Sequence, residues 1–154
     1  MIGDGYLREK LEEKVRKENL ENKIIFLGRQ KDVFKFLAKS SCFVLSSDYE
    51  GFPNVLIEAL ACNLPIISTD CISGPREILA PNSDFTKQTK FIEIAEYGIL
   101  APIGDVDKLA EAMRIIYEDE DLRKEYSKKA KFRAKDFDVR KIIKEWEIVI
   151  ERSN

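Results

Sequence analysis

Histidine is absent from all 154 residues. That excludes a Ser-His-Asp triad, a Cys-His pair and any His-ligated zinc centre within this chain. Chemistry is left to carboxylates, hydroxyls, thiols, lysine, arginine and backbone dipoles. Cysteine is scarce: Cys42, Cys62 and Cys71 are odd in number, widely spaced and set in apolar sequence. They read as reduced, core-packing thiols rather than a disulfide framework or a C-x-x-C pair. No apolar run approaches the ~20 residues needed to cross a bilayer. Met1-Ile2-Gly3-Asp4-Gly5 lacks the charged-then-apolar order of a signal peptide. An excess of one charge is lacking too: 26 Lys and Arg against 28 Asp and Glu leave −2. That balance gives no general attraction to nucleic acid or an anionic membrane. The expectation is a cytoplasmic protein with no nucleic-acid partner.

What is present suits a soluble globular chain, 44% hydrophobic and 35% charged, and its length is that of one domain of ~100–200 residues. Leu7, Leu11 and Val15 recur every four residues and predict a helix over 6–19 with one buried stripe. Residues 23–28 predict a buried strand ended by Gly28, and Val33, Phe36 and Leu37 return to helical spacing. Cys42-Phe43-Val44-Leu45 and Pro65-Ile66-Ile67-Ser68 predict strands around a helix over 54–62. Pro53 suits the first turn of that helix and Asn63 a left-handed cap at its end. Gly74-Pro75 opens a single helical turn to Leu79, residues 80–97 read as an irregular polar stretch, and residues 98–101 as a last strand. From Asp105 onward the chain is helical. Its stripes are Leu109, Met113 and Ile116; Leu122, Tyr126 and Ala130; and Ile142, Trp146 and Val149. Strands apolar throughout, separated by single helices, predict a doubly wound, parallel, Rossmann-like α/β sheet covered on both faces. The Gly3-Asp4-Gly5 turn normally leaves a strand, yet only Met1 and Ile2 precede it. Either that strand is two residues long or the chain begins inside a domain.

Ligands of an open parallel sheet bind beyond the carboxyl ends of its strands, which selects residues 3–5, 28–31, 46–54, 69–77 and 102–105. The richest is Ser46-Ser47-Asp48-Tyr49-Glu50-Gly51-Phe52-Pro53-Asn54. Gly51 lets backbone approach a ligand closely. Exposed amides at the start of helix 54–62 favour an anion by about 0.3–1 kcal/mol, or ~2 when partly buried. Glu50 and Glu58 bracket this cradle. Carboxylates repel a phosphate, so their fitting partners are hydroxyls, and a phosphate flanked by hydroxyl-rich rings describes a nucleotide sugar. The alternative is that Glu50 caps the helix while Glu58 pairs with a surface cation.

The run from Glu50-Gly51-Phe52-Pro53-Asn54 through Glu58-Ala59-Leu60-Ala61-Cys62-Asn63-Leu64-Pro65-Ile66 resembles the E-x7-E region of family 4 glycosyltransferases. Gly3-Asp4-Gly5, Phe26-Leu27-Gly28, Gly74-Pro75-Arg76-Glu77-Ile78 and Gly98-Ile99-Leu100-Ala101-Pro102 with Gly104-Asp105 match further motifs of that family in order. The resemblance implies the second half of a GT-B enzyme, in which two Rossmann-like domains face a cleft and the second binds the nucleotide-sugar donor. It implies transfer with retention and no bound metal or other cofactor. Glu50 takes the catalytic position, holding the donor sugar's hydroxyls, and Glu58 holds the ribose. The backbone of Gly51, Phe52, Pro53, Asn54 and Val55 holds the diphosphate and sugar, and Ser47 joins the nucleotide-sugar site. Gly28, Arg29 and Gln30 lie against the base, and Glu77 joins the donor site without a physical assignment. The leaving phosphate itself takes the acceptor's proton in the mechanism usual to the family, so no protein base is required.

Departures from the family pattern are Asn63 and Pro53 in place of glycines. A strand and a loop carrying an Arg and a Lys, together with the acceptor domain, would precede Met1. Arg29 and Arg76 are the nearest cations to the proposed site, or else solvated surface arginines. The resulting expectation is that residues 1–154 form a donor-binding domain, inactive alone. It would take UDP-hexose or UDP-N-acetylhexosamine for a glycan or lipid-linked acceptor in bacterial capsule or lipopolysaccharide synthesis. It would sit at the inner membrane only peripherally, through the missing N-terminal domain. Helix 139–151 resembles the one that crosses onto that domain, so exposure of Ile142, Trp146 and Val149 would drive self-association. Competing readings are a non-catalytic nucleotide-sugar sensor, a response-regulator-like module without the required aspartate pattern, and a nucleotide-sugar epimerase that fits the motifs poorly.

Overall fold

A computed structural model describes residues 1–152, in two compact units divided after Phe36. The first unit holds helix α1 (Arg8–Lys17). Its predicted buried stripe is not buried: Leu7 and Leu11 are exposed and no residue of α1 is buried. A unit of this size has too little surface of its own to cover an apolar stripe. The predicted buried strand 23–28 does not form: Lys23 lies in a turn, residues 24–28 join no regular ladder, and Gly28 has φ 64°. The Met1 ammonium donates to the Ile25 carbonyl, and the Leu27 and Gly3 amides donate to the Met1 and Gly28 carbonyls at 2.9 Å each. Ile25 nevertheless remains exposed. Helix α2 (Phe34–Leu37) follows at the division.

The second unit carries β1 (Phe43–Leu45), α3 (Asn54–Ala61), β2 (Ile66–Thr69), α4 (Pro75–Leu79), β3 (Glu93–Ile94), β4 (Ile99–Ala101), α5 (Val106–Glu118), α6 (Glu120–Ala134), a 3-10 turn (Lys135–Phe137) and α7 (Val139–Arg152). The strands form one sheet in the order β1-β2-β4-β3. β2 is parallel to both β1 and β4, in the registers Phe43↔Ile66 and Ile67↔Ile99. All four residues of β2 are buried. Successive strand residues face opposite sides, so both faces of the sheet are covered, as the uninterrupted apolar run predicted. β3 corrects the reading of 80–97 as irregular: Glu93 and Ile94 pair antiparallel with Leu100 and Ile99. Two residues of half-exposed strand are too short to leave an alternating signal.

Ile67, Ile99, Ala112, Ile116 and Tyr126 form one core cluster. Leu56, Leu60, Ile66, Ile78, Leu79 and Leu100 are fully buried as well. The Tyr126 hydroxyl is shared between the carbonyls of Ala95 and Gly98, 2.9 Å from each, which lets a polar tip enter the core without an unmet hydrogen bond. Asp105 and Asp119 cap α5 and α6 by accepting from the Lys108 and Leu122 amides. Asn63 has φ 60° at the end of α3, as predicted. Pro53 stands one residue before the first turn rather than in it. All three cysteines are free thiols; burial pushes the Cys42 thiol up to about 11. Trp146 on α7 is 63% exposed, with Ile143 and Ile150 exposed beside it. Among the described residues no helix is long and apolar enough to cross a membrane.

Candidate functional site

The carboxyl ends of β1 and β2 and the starts of α3 and α4 converge in the second unit. Thr69, the last residue of β2, donates its hydroxyl hydrogen to the Ser47 carbonyl at 2.5 Å, with the Leu45 carbonyl farther off at 3.4 Å. The loop after β2 then lies against the loop before α3. Gly74 has φ +91°, and a Cβ there would stand 2.1 Å from Pro53 Cδ and 3.2 Å from the Gly51 carbonyl oxygen. Only glycine satisfies both that backbone and that approach.

Glu50 is half-buried and accepts a 2.7 Å hydrogen bond from the Ser47 hydroxyl. It does not cap α3, whose start has no side-chain cap. Glu58, half-buried one turn beyond Asn54, makes no ion pair among the described residues. Neither acid is therefore occupied as the alternative reading required. Gly51, Asn54 and Val55 are exposed, and a Cβ on Gly51 would meet nothing within 4 Å. This glycine has no packing reason and stands beside open space. The tip offers fewer amides than expected. Asn54 turns its N–H back to the Phe52 carbonyl and Leu56 donates to the Pro53 carbonyl, 2.9 Å each, while Pro53 has no N–H. Val55, second in the helix, has no carbonyl one turn back within it.

Several expected ligands have internal work. The Phe52 ring packs on Phe137 with centroids 5.9 Å apart, and Pro53 is buried, so these two anchor the loop through their side chains. Glu77 gains the assignment it lacked: its carboxylate accepts from the Gly74 amide at 3.1 Å and closes the start of α4. Arg76 is no solvated surface cation. It is 8% exposed and pairs with Asp70, 1% exposed, at 2.6 Å and with Glu93 at 2.7 Å. Burial opposes its charge, but hydrogen bonds to Glu93 and Asp70 outweigh that and hold its proton above the ordinary arginine value. Gly28, Arg29 and Gln30 lie in the first unit. There Gly28 has φ +64°, Arg29 is exposed and the Gln30 amide donates to the Leu27 carbonyl at 2.5 Å.

Three contributors were not singled out as site residues from sequence. Thr69 looks like the end of an apolar strand. Arg133 sits in a charged helix, yet it donates to the Ile78 and Glu77 carbonyls at 2.9 and 2.7 Å and lies over the Phe137 and Tyr97 rings. Cys71 lies at this corner too: burial first, then the charges of Glu50, Asp70 and Asp48, push its thiol up. Among the described residues no three acids or cysteines are grouped as a metal ion would need. The arrangement is thus an open, acid-flanked helix tip, with one carboxylate already oriented. It suits a phosphate held between hydroxyl-bearing groups.

Residues 1–133 match the family described as glycosyl transferases group 1. Over 98% of the chain, 48% of residues are identical to an uncharacterised glycosyltransferase of Methanocaldococcus jannaschii, covering 41% of that protein. Over 94% of the chain, 35% are identical to a Campylobacter jejuni enzyme, covering 36% of it. That enzyme is N-acetylgalactosamine-N,N'-diacetylbacillosaminyl-diphospho-undecaprenol 4-alpha-N-acetylgalactosaminyltransferase. The chain therefore spans well under half the length of these relatives. Among solved structures, HepE from Anabaena superposes with a TM-score of 0.79 at 21% identity, over 98% of this chain and 40% of that one. Sucrose-phosphate synthase from Thermosynechococcus elongatus superposes at 0.73 and 25%, over 97% and 34%. The sheet and helices described above are thus the α/β, Rossmann-like fold of GT-B glycosyltransferases.

Proposed function

Because the chain belongs to the glycosyl transferases group 1 family, we propose that it is the donor-binding domain of a retaining glycosyltransferase that needs no metal. In this reading the pyrophosphate of a nucleotide sugar docks at the tip of α3, Glu50 grips the sugar's hydroxyls and Glu58 the ribose. The observation that carries it is the pair of acids at this tip, Glu58 without an ion pair among the described residues and Glu50 already turned by Ser47, beside the open space over Gly51. Departure of a nucleoside diphosphate builds negative charge on its leaving oxygen, and fixed amides at a helix start stabilise that charge without reorganising. Arg76, the first cation after β2 in the second unit, is spent on Asp70 and Glu93. Neutralising the diphosphate therefore calls on residues outside this cluster, and choosing the acceptor calls on a second Rossmann-like domain. The chain alone is then inactive in transfer. A UDP-linked N-acetylhexosamine is the favoured donor and a lipid-linked glycan the favoured acceptor, on the strength of the Campylobacter relative. The exposed apolar side of α7 around Trp146 fits contact with that second domain, or self-association in its absence.

Titration calorimetry with UDP, GDP and their sugars tests this on the wild type and Glu58→Ala. A carboxylate–hydroxyl hydrogen bond contributes about 1.5–3 kcal/mol, so the variant is expected to bind on the order of 10- to 150-fold more weakly. Equal affinity in the two proteins, or no heat from any nucleotide in the wild type, contradicts the reading.

A further inference from the structure

Glu50 has two carboxylate oxygens, and the fold holds only one. Ser47 donates to Oε1 at 2.7 Å, while Oε2 has no hydrogen bond among the described residues. A glutamate on a loop ordinarily samples many rotamers, and a serine three residues earlier on the same loop would move with it. Ser47 is not free to do so, because its carbonyl is fixed from below. Thr69 is 4% exposed at the end of β2 and points its hydroxyl at the Ser47 carbonyl, 2.5 Å away. β2 lies between β1 and β4, so the chain of contacts runs from a strand paired on both sides, through Thr69 and Ser47, to one oxygen of Glu50.

We propose that Thr69 and Ser47 are positioning residues for Glu50, holding its carboxylate so that Oε2 is presented in one direction to a hydroxyl of the donor's sugar. Ser47 thereby acts on the sugar through Glu50 rather than as a direct ligand. The inference rests on the donor-site reading for what Glu50 grips; the contacts from Thr69 to Glu50 stand apart from it. It also separates two parts of the ligand: the relay controls affinity for the sugar and leaves affinity for the nucleotide alone.

The test uses the full chain with Thr69→Val, Thr69→Ser and Ser47→Ala. Valine has the shape of threonine without the hydroxyl, and serine restores the hydroxyl. Calorimetry with UDP and with UDP-N-acetylglucosamine gives a ratio of affinities for each protein, and amide hydrogen exchange reports residues 46–51 without ligand. Thr69→Val and Ser47→Ala are expected to bind UDP within about twofold of wild type. Their UDP-sugar to UDP affinity ratio is expected to fall on the order of tenfold, while Thr69→Ser keeps the wild-type ratio. In Thr69→Val the amides of 46–51 exchange faster while those of α3 and β2 keep their protection. If UDP and UDP-sugar weaken alike, if the ratio does not change, or if serine fails to rescue, the relay is structural only and the proposal fails. If the wild type binds neither nucleotide, the donor reading fails. The relay is then decided by exchange alone: unchanged protection of 46–51 in Thr69→Val overturns it, and faster exchange supports it.

Discussion

Replacing Arg76 by methionine removes the guanidinium that lies between two carboxylates while keeping much of the side chain's volume. Asp70 is 1% exposed, and its remaining partner among the described contacts is the Thr89 amide, 2.6 Å from Oδ2. Glu93 is easier to rehydrate, its side chain being 35% exposed. The loss is therefore dominated by one stranded buried carboxylate, for which removing a partner costs about 3–5 kcal/mol. Against a total stability of about 5–15 kcal/mol that is a large fraction, and it corresponds to a fall in Tm of roughly 6–20 °C for a chain of this size. Urea unfolding of wild type, Arg76→Met, Asp70→Asn and the double variant measures it. Removing both charges leaves no fully buried charge stranded, only the more exposed Glu93, so the double variant is expected to lose about 1–3 kcal/mol less than the two single losses added together. A loss below about 1 kcal/mol in Arg76→Met, or strict additivity, would refute the claim that Asp70 and Arg76 act as a buried clamp.

Gly74→Ala places a Cβ 2.1 Å from Pro53 Cδ at positive φ. It is expected to destabilise the chain by about 1–3 kcal/mol and to weaken nucleotide binding with it, read by calorimetry at a temperature where the variant stays folded. Tyr126→Phe deprives the Ala95 and Gly98 carbonyls of their shared hydroxyl, and an expected loss of about 1–3 kcal/mol appears in urea unfolding. The Cys42 thiol, raised to about 11 by burial, stays protonated through pH 9. Its alkylation in the native chain is expected to be on the order of tenfold or more slower than in the unfolded chain at pH 8, rising only as pH approaches 11. Rapid modification at pH 8, located by mass spectrometry, contradicts this.

The parallel sheet was legible because the apolar runs at Phe43-Val44-Leu45, Ile66-Ile67 and Ile99-Leu100 are separated by single helices, and the position of α3 because Asn63 can adopt the left-handed cap. The acids of the site could be found from their place beyond a strand end and on the first turns of a helix. What escaped was decided across the chain. Arg76 looks like a surface cation until Asp70 and Glu93 are brought to it from 6 and 17 residues away. The Phe52 ring carries no local sign of its packing until Phe137 is brought against it from another element. The stripe of α1 has helical spacing, but periodicity says which face is apolar and nothing of whether another surface covers it. Thr69 carries no local signal at all, since its role depends on where the Ser47 carbonyl lies.

Crystals of the chain soaked with UDP-N-acetylglucosamine address the central claim most directly. Density for the pyrophosphate against the amides between Gly51 and Val55, with Glu58 on the ribose and Glu50 Oε2 on a sugar hydroxyl, is the predicted result. Nucleotide bound elsewhere on the molecule while that helix tip stays vacant would contradict it.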